Sequence, residues 1–117
     1  MKTILVIDDE AYFSKSVEAT LDSKKYKVIM AESGEEGLKM IEQFAPDAVL
    51  LDINMPRMNG IEVLKKLNTK KIPIIITSNL SSKQTISEGV ALGVRGYIVK
   101  SDESLKTIAD TIEDLFK

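Results

Sequence analysis

Four short apolar runs, each followed or ended by a polar residue, constrain the fold of this 117-residue chain more than any other feature. The runs cover residues 4–7, 48–51, 74–76 and 97–99. Unbroken runs of branched apolar residues are typical of strands that are buried on both faces, as in parallel sheets. The sequence therefore predicts an α/β protein with helices on both sides of a parallel sheet.

The segments between these runs are predicted to be helical. Apolar residues recur in them at helical spacing. The positions are Phe13, Val17 and Leu21; Leu38 and Ile41; Ile61, Leu64 and Leu67; and Leu105, Ile108, Ala109, Ile112 and Phe116. A weaker helix is predicted over residues 82–93, where the apolar positions are Ile86, Val90 and Leu92.

Local signals set the boundaries of several elements. Ser33 and Glu36 have the spacing of a capping box, and Pro46 is predicted to close the helix that follows them. Residues 27–31 begin with a lysine and predict a strand at the sheet edge. The segment over residues 54–60 has the composition of a turn, in which Gly60 is free to take a positive φ.

Strand and helix alternate five times without a linker or repeat. Such alternation requires right-handed crossovers and a doubly wound parallel sheet. Five strands fit the flavodoxin-like (βα)5 three-layer sandwich, with strand order 2-1-3-4-5. We expect one domain over residues 1–117.

Composition excludes several classes of function. The net charge of −2 gives no electrostatic reason to bind nucleic acid. The chain has no cysteine and no histidine, which excludes disulfides, thiolate or histidine metal sites and imidazole-based triads. No apolar run has the length of a bilayer span and no signal peptide is present, so we expect a cytoplasmic protein without a membrane partner.

Polar residues at the strand ends predict one site. Ligands of such sheets bind beyond the carboxyl ends of the strands, so these residues are expected to converge. They are Asp8, Asp9, Asp52, Thr77, Ser78 and Lys100. Clustered carboxylates repel one another, and a hard divalent cation such as Mg²⁺ is their natural counterion.

The residue types suggest phosphoryl chemistry. Asp52 stands alone at the tip of its strand, as a nucleophile that forms an aspartyl phosphate would. Lys100 and a magnesium ion would neutralise charge on the phosphoryl oxygens. Ser78 would hydrogen-bond the phosphoryl group, although Thr77 would exchange faces with it after a one-residue change of register.

Each of these residues also has an ordinary structural interpretation. Asp8 or Asp9 could cap the first helix, and Asp52 could hold the turn that follows it. Ser78 could be one polar residue of a serine-rich loop, and Lys100 a surface lysine. Only their joint position, at the same end of every strand, favours the functional interpretation.

With these residues in this order, the chain resembles the receiver domain of bacterial two-component response regulators, in particular the chemotaxis-regulator type. The resemblance covers the whole chain. It is reinforced by Asp-Ile-Asn-Met-Pro-Arg-Met-Asn-Gly over residues 52–60, Pro-Ile-Ile-Ile-Thr-Ser over 73–78 and Gly-Val-Arg-Gly-Tyr-Ile-Val-Lys over 93–100.

The resemblance implies a role for each matching residue. Asp52 would be phosphorylated by a sensor histidine kinase, a phosphotransfer protein or a small phosphodonor. Mg²⁺ or Mn²⁺ would be held by the carboxylates of Asp8, Asp9 and Asp52 and the backbone carbonyl of Asn54. Ser78, Lys100 and Tyr97 would respond to the phosphoryl group, with Tyr97 turning inward and the fourth helix, fifth strand and fifth helix forming the output face.

Some positions depart from the family pattern or bear on its timing. Ser101 stands where the family usually has a proline joined by a cis peptide, and Asn79 where a smaller residue is usual. Asn54 and Leu80 occupy positions that influence phosphoryl lifetime in the family. The sequence ends with the fifth helix, so we expect either a downstream target protein or an effector domain that is missing here, and dimerisation on activation is left open.

The leading hypothesis is a phosphoacceptor signalling switch, not an enzyme with a separate substrate. A second is a receiver-like adaptor that binds proteins without phosphorylation, against which the intact acidic, serine and lysine positions argue. A third is an aspartate-nucleophile phosphatase, but such enzymes carry Asp-x-Asp where this chain has Asp8-Asp9-Glu10. A flavodoxin would need a phosphate-binding loop after the first strand, which the sequence lacks.

Overall fold

In the computed structural model, the described residues are 1–55, 58–67, 71–79, 83–100 and 104–117, with backbone alone over 83–86. Strand and helix alternate along them. The elements are β1 (Lys2–Ile7), α1 (Ala11–Thr20), β2 (Tyr26–Ala31), α2 (Gly34–Phe44), β3 (Ala48–Asp52), α3 (Gly60–Lys65), β4 (Ile74–Ser78), α4 (Lys83–Ala91), β5 (Gly96–Val99) and α5 (Leu105–Asp114).

All five strands are parallel, in the order β2-β1-β3-β4-β5. The predicted α/β fold with flavodoxin-like strand order 2-1-3-4-5 is therefore confirmed. β2, which contains the segment predicted for the sheet edge, lies at the edge as predicted, and β3 lies at the centre. This order places the ends of β1, β3 and β4 side by side.

The sheet separates two apolar clusters because successive strand residues point to opposite faces. One cluster contains Ile4, Val6, Leu50 and Ile75 together with residues of α1 and α5. The other contains Leu5, Ile7, Val49, Leu51, Ile74 and Ile76 together with residues of α2 and α3. Burial on both faces accounts for the unbroken apolar runs in the sequence.

At the amino end of the sheet, Asp47 joins β1 to the start of β3. Its Oδ2 accepts a hydrogen bond from the Thr3 backbone N–H at 2.7 Å. Its own N–H donates to the Thr3 carbonyl oxygen at 2.8 Å. This two-way pairing fixes the register of β1 against β3, with Ile4 opposite Ala48.

Gly60 does not use the positive φ that a glycine is free to take. Positive φ among the described glycines occurs at Gly93, at 94°. Gly60 instead begins α3 against β3, where an added Cβ would lie 2.7 Å from the Asp52 carbonyl oxygen. The α2 helix ends as Ala45 takes a left-handed φ of 44° directly before Pro46.

The apolar positions predicted for the last two helices were only partly right. Ile108 and Ile112 are buried, but Val90 is 65% exposed and Leu105 is 40% exposed. In α4 it is Gly89 that faces the sheet, since an added Cβ would lie 2.5 Å from Ile76 Cδ1. A search for apolar side chains misses a helix that packs through a glycine.

Two parts of the predicted fourth helix lie outside the described residues. They are Ser82, its predicted first residue, and the side chain of Ile86. The helices that are described include none long and apolar enough to span a membrane.

Candidate functional site

The carboxyl ends of the central strands form the candidate site. In the registers of the central strands, Ile7 pairs with Leu51 and Asp52 with Thr77. Asp8 therefore follows β1 at the level of Asp52. Asp8, Asp52 and Ser78 lie together at this edge of the sheet, where the sequence placed them, and all three are buried, whereas Asp9 is exposed.

Lys100 lies between the two buried aspartates. Its Nζ is 2.5 Å from Asp8 Oδ2 and 3.7 Å from Asp52 Oδ2. The Lys100 side chain is only 7% exposed, and its Nζ lies 4.5 Å from the centre of the Phe13 ring. Lys100 is thus a buried cation shared by two carboxylates, not a surface lysine.

A single cation does not compensate both carboxylates. Burial raises the pKa of Asp8, although the hydrogen bond from Lys100 opposes the shift. Burial and then the charge of Asp8 raise the pKa of Asp52 to about 6. The pocket therefore keeps an excess of negative charge, which favours an additional cation.

The acidic residues after β1 could hold that cation. Because β1 ends at Ile7, the chain turns, and the Glu10 N–H donates to Asp8 Oδ1 at 2.8 Å. Carboxylate oxygens of Asp8, Asp9 and Glu10 lie within 4.8 Å of one another. Oxygen donors with this surplus of charge fit a hard divalent ion such as Mg²⁺.

The assignment of individual metal ligands stays a prediction. Asp52, already one of the clustered carboxylates in the sequence, shares Lys100 with Asp8, and the resemblance added the Asn54 carbonyl to the ligand set. The sequence interpretation missed Glu10, although its place directly after Asp8 and Asp9 was a usable signal. The alternative role of Asp8 is also present, since its Oδ1 holds the turn into α1; Glu10 is the N-cap, and its side chain makes no cap bond.

Asn54 connects Asp52 to Ser78. Its N–H donates to Asp52 Oδ1 at 3.0 Å, and its Nδ2 donates to Ser78 Oγ at 2.9 Å. Asp52 therefore also serves the turn after β3. The Ser78 hydroxyl is bonded to the loop that follows Asp52, which supports Ser78 over Thr77 as the hydroxyl of the site. The role of the Asn54 side chain was not predicted.

The rim of the pocket is polar. Asn79 Nδ2 donates to Glu10 Oε1 at 3.3 Å. Hydrogen bonds from Tyr12 and then Asn79 lower the pKa of Glu10. Asn79 thus contacts a residue of the acidic group and does not only occupy space beside Ser78.

Tyr97 packs half-buried against the cluster on the α2 and α3 side of the sheet. Its inward turn in an active state stays a prediction. Two other positions noted in the sequence, Leu80 and Ser101, lie outside the described residues.

Known proteins resemble this chain in both sequence and fold. The response regulator receiver domain family matches residues 4–112. The transcriptional regulatory protein YdfI of Bacillus subtilis is 29% identical over 97% of this chain and 54% of its own length. The cell cycle response regulator CtrA of Brucella ovis is 33% identical over 83% of this chain and 43% of its own length.

A solved structure has the same fold. The chemotaxis protein CheY4 of Vibrio cholerae superposes with a TM-score of 0.88 at 30% identity, covering 97% of this chain and 98% of that one. By contrast, this chain spans only about half the length of the curated relatives named above. Receiver domains are the phosphoacceptor modules of two-component signalling. With the family pattern matched over residues 4–112, the chain belongs to the response regulator receiver domain family.

Proposed function

We propose that Asp52 accepts a phosphoryl group from a sensor histidine kinase or a phosphotransfer protein, in a reaction that requires Mg²⁺ or Mn²⁺. The observation that carries this proposal is the position of Asp52, 2% exposed at the tip of the central strand and 3.7 Å from the Lys100 ammonium. Its two carboxylate oxygens have different surroundings. Oδ1 accepts from Asn54, and Oδ2 faces Lys100.

The nucleophile is the ionised carboxylate of Asp52. Because its pKa is about 6, most of it is ionised at pH 7. One carboxylate oxygen attacks phosphorus as the bond from phosphorus to the donor nitrogen or oxygen breaks, and the bonding electrons leave with the donor. The chain has no histidine, so a phosphohistidine donor belongs to another protein.

Positive charge is the main contribution of the site to this transfer. Lys100 supplies one positive charge. Its ammonium lies near Asp8 and Asp52 in the unmodified protein and turns to the phosphoryl oxygens as they arrive. Asp8 and Asp9, with Asp52 and the Asn54 carbonyl, would hold the divalent ion, which supplies further positive charge to the same oxygens. Glu10 lies close enough to Asp8 and Asp9 to contribute to that ion's site.

The signal would leave the site through Ser78. In the unmodified protein its Oγ accepts from the Asn54 amide. A phosphoryl oxygen on Asp52 offers Ser78 a charged acceptor, and charged hydrogen bonds are the stronger ones. Ser78 then moves towards Asp52, Tyr97 turns inward, and the face formed by α4, β5 and α5 changes.

The protein would be a cytoplasmic signalling switch that catalyses only its own phosphorylation and dephosphorylation. Its output would be a downstream target protein or an effector domain, not nucleic acid bound directly, and activation could proceed through a homodimer.

Intact-mass spectrometry after incubation with acetyl phosphate and Mg²⁺ tests the proposal. We expect one added phosphoryl group on the parent, none without the metal and none on Asp52→Asn. Asp110→Asn is the matched control, since Asp110 is an exposed aspartate and this variant should still be modified.

The experiment also traps short-lived phosphates and measures beryllofluoride binding in parallel, so that a missing adduct is not mistaken for a rapidly hydrolysed one. No adduct and no beryllofluoride binding would reject phosphorylation at Asp52. That result would favour the adaptor that binds proteins without phosphorylation.

A further inference from the structure

An apolar cavity lies near the amino end of the sheet, on the face covered by α2 and α3. Its volume is about 160 Å³. Val49 and Ile74 pair across β3 and β4 and are fully buried, so they form its floor. About 10 Å of extended strand separates Val49 from Asp52. This amino-end cavity is therefore separate from the acidic pocket. Its lining residues are Ile41, Val49, Leu67, Lys71, Ile72 and Ile74.

The amino-end cavity has the size of a small apolar ligand. An apolar cavity of about 150 Å³ in another protein stays empty of water and takes up benzene. Here five of the six lining residues are apolar, so water would find few hydrogen-bond partners. A void beside fully buried strand residues also forfeits packing contacts. A ligand with a benzene-sized apolar part would restore those contacts.

The mouth of the cavity carries a positive charge. Lys71 is the exposed member of the lining, so its side of the cavity opens to solvent. Within the described part of the chain, Lys71 has no ion-pair partner. Its ammonium is therefore available to an anion, in contrast with Lys100, which two aspartates share. An apolar ligand with one anionic group complements the cavity in both size and charge.

We propose that the amino-end cavity binds a small carboxylate with a benzene-sized apolar group, which lies against Val49 and Ile74 while the carboxylate meets the Lys71 ammonium. Binding there does not require phosphorylation of Asp52. The apolar group supplies most of the affinity, because a solvent-exposed ion pair contributes little. The charge of Lys71 selects an acid over a neutral compound of the same shape.

A methyl NMR titration of the full chain with benzoate as the probe tests the site. We expect saturable shifts at the methyl groups of Val49 and Ile74, with a dissociation constant of about 0.1–10 mM, since few atoms limit the affinity of so small a ligand. The methyl groups of Ile4 and Val6, on the other face of the sheet, should not shift. Acetate, which lacks the ring, should leave all four unchanged, and equal shifts with acetate would overturn the apolar part of the site.

The role of the charge is tested with benzamide, a neutral compound of the same shape. Benzamide should bind the parent about twofold to fivefold more weakly than benzoate, and Lys71→Met should weaken benzoate by the same factor without changing benzamide. Lys24→Met is the matched control, since Lys24 is an exposed turn lysine outside the lining. Benzamide that binds as tightly as benzoate, or an equal loss in Lys24→Met, would overturn the choice of an acid.

Filling the cavity tests its position. Ile41→Phe would place a ring in the cavity from α2 and should weaken benzoate by about tenfold or more, because protein interiors hold little spare volume. Ile29→Phe is its control, since Ile29 packs against the same apolar cluster but does not line the cavity. Thermal unfolding checks that both variants fold.

Val49→Ile is a milder filling variant, which adds a methylene group to the cavity floor. It should also weaken benzoate, with the Ile74 methyl groups as the reporter. The site would be overturned by an absence of saturable shifts in the parent, or by parent affinity in both Ile41→Phe and Val49→Ile.

Discussion

Aspartates at opposite ends of the same sheet have opposite surroundings. At the amino end, Asp47 accepts a hydrogen bond from the Thr3 backbone N–H, and the two residues are paired in both directions. At the carboxyl end, Asp8 and Asp52 are buried against each other and share the Lys100 ammonium. Asp8 and Asp52 each accept one backbone N–H as well, at Oδ1, but their Oδ2 oxygens face a single shared ammonium, so this end keeps negative charge in excess.

The difference shows how one residue type serves structure or chemistry. Backbone N–H groups that point at a carboxylate are fixed dipoles, and they cannot be exchanged for a substrate. A lysine ammonium on a flexible stem can turn from one anion to another. The carboxyl end of the sheet is therefore the end at which an arriving phosphoryl group can replace existing contacts.

Removing the shared cation should give the largest effect on stability. Lys100→Met leaves two buried carboxylates without a cation, and breaking a buried ion pair in this way costs about 3–5 kcal/mol. We expect that loss of unfolding free energy in urea at pH 7 without metal. The loss should shrink at acid pH, where the carboxylates with raised pKa bind protons.

Lys106→Met is the control for this prediction. Lys106 pairs with Asp110 on the surface, with the two side chains 86% and 58% exposed. Such pairs contribute about 0–1 kcal/mol. If Lys100→Met lost no more unfolding free energy than Lys106→Met, Lys100 would not compensate the buried aspartates.

Removing the excess charge should stabilise the protein. The pKa of Asp52 rises from 3.8 to about 6 on folding, so the folded state binds the proton more tightly than the unfolded state. The stability from that proton is present at low pH and lost as pH rises through about 6. Asp52→Asn has no such loss, and we expect it to exceed the parent by about 1–3 kcal/mol at pH 7 without metal.

Urea unfolding between pH 4 and pH 8 checks this sign. The advantage of Asp52→Asn should fall towards zero as the pH approaches 4, while Asp110→Asn should stay within about 0.5 kcal/mol of the parent. An Asp52→Asn protein that is less stable than the parent at pH 7 would contradict an excess of negative charge in the pocket.

At the amino end the same exchange should have little effect. Asp47→Asn keeps a side-chain oxygen for the Thr3 N–H and should cost less than about 1 kcal/mol, whereas Asp47→Ala leaves that N–H without its acceptor and should cost about 1–3 kcal/mol. Unfolding free energies of the two variants at pH 7 give the comparison. Equal losses in both would show that Asp47 acts through its charge and not through this hydrogen bond.

Much of the fold follows from patterns that are local in the chain. The apolar runs of β1, β3 and β4 identified strands buried on both faces, and the Ser33 hydroxyl caps α2 through the Glu36 N–H as its spacing indicated. Convergence of Asp8, Asp52, Ser78 and Lys100 also follows, because parallel strands present all their carboxyl ends at one edge.

Other features depend on what approaches each residue from elsewhere. Gly60 looked like a glycine that serves the freedom of a turn, but it is needed where α3 begins against the Asp52 carbonyl. Val90 looked like part of a buried stripe, but Gly89 makes the contact with the sheet. Neither contact has a signal within a few residues of the position.

The sequence by itself determined the class of fold, the strand order and the edge of the sheet at which the chemistry lies, because hydrophobic period and strand polarity are properties of the chain. Only the tertiary structure decided how charge is shared in the pocket. The raised pKa of Asp52, the position of Lys100 between two aspartates and the Glu10–Asn79 bond all arise between residues from different strands and loops. Burial and distance set electrostatic energies, and both exist only once the chain has folded.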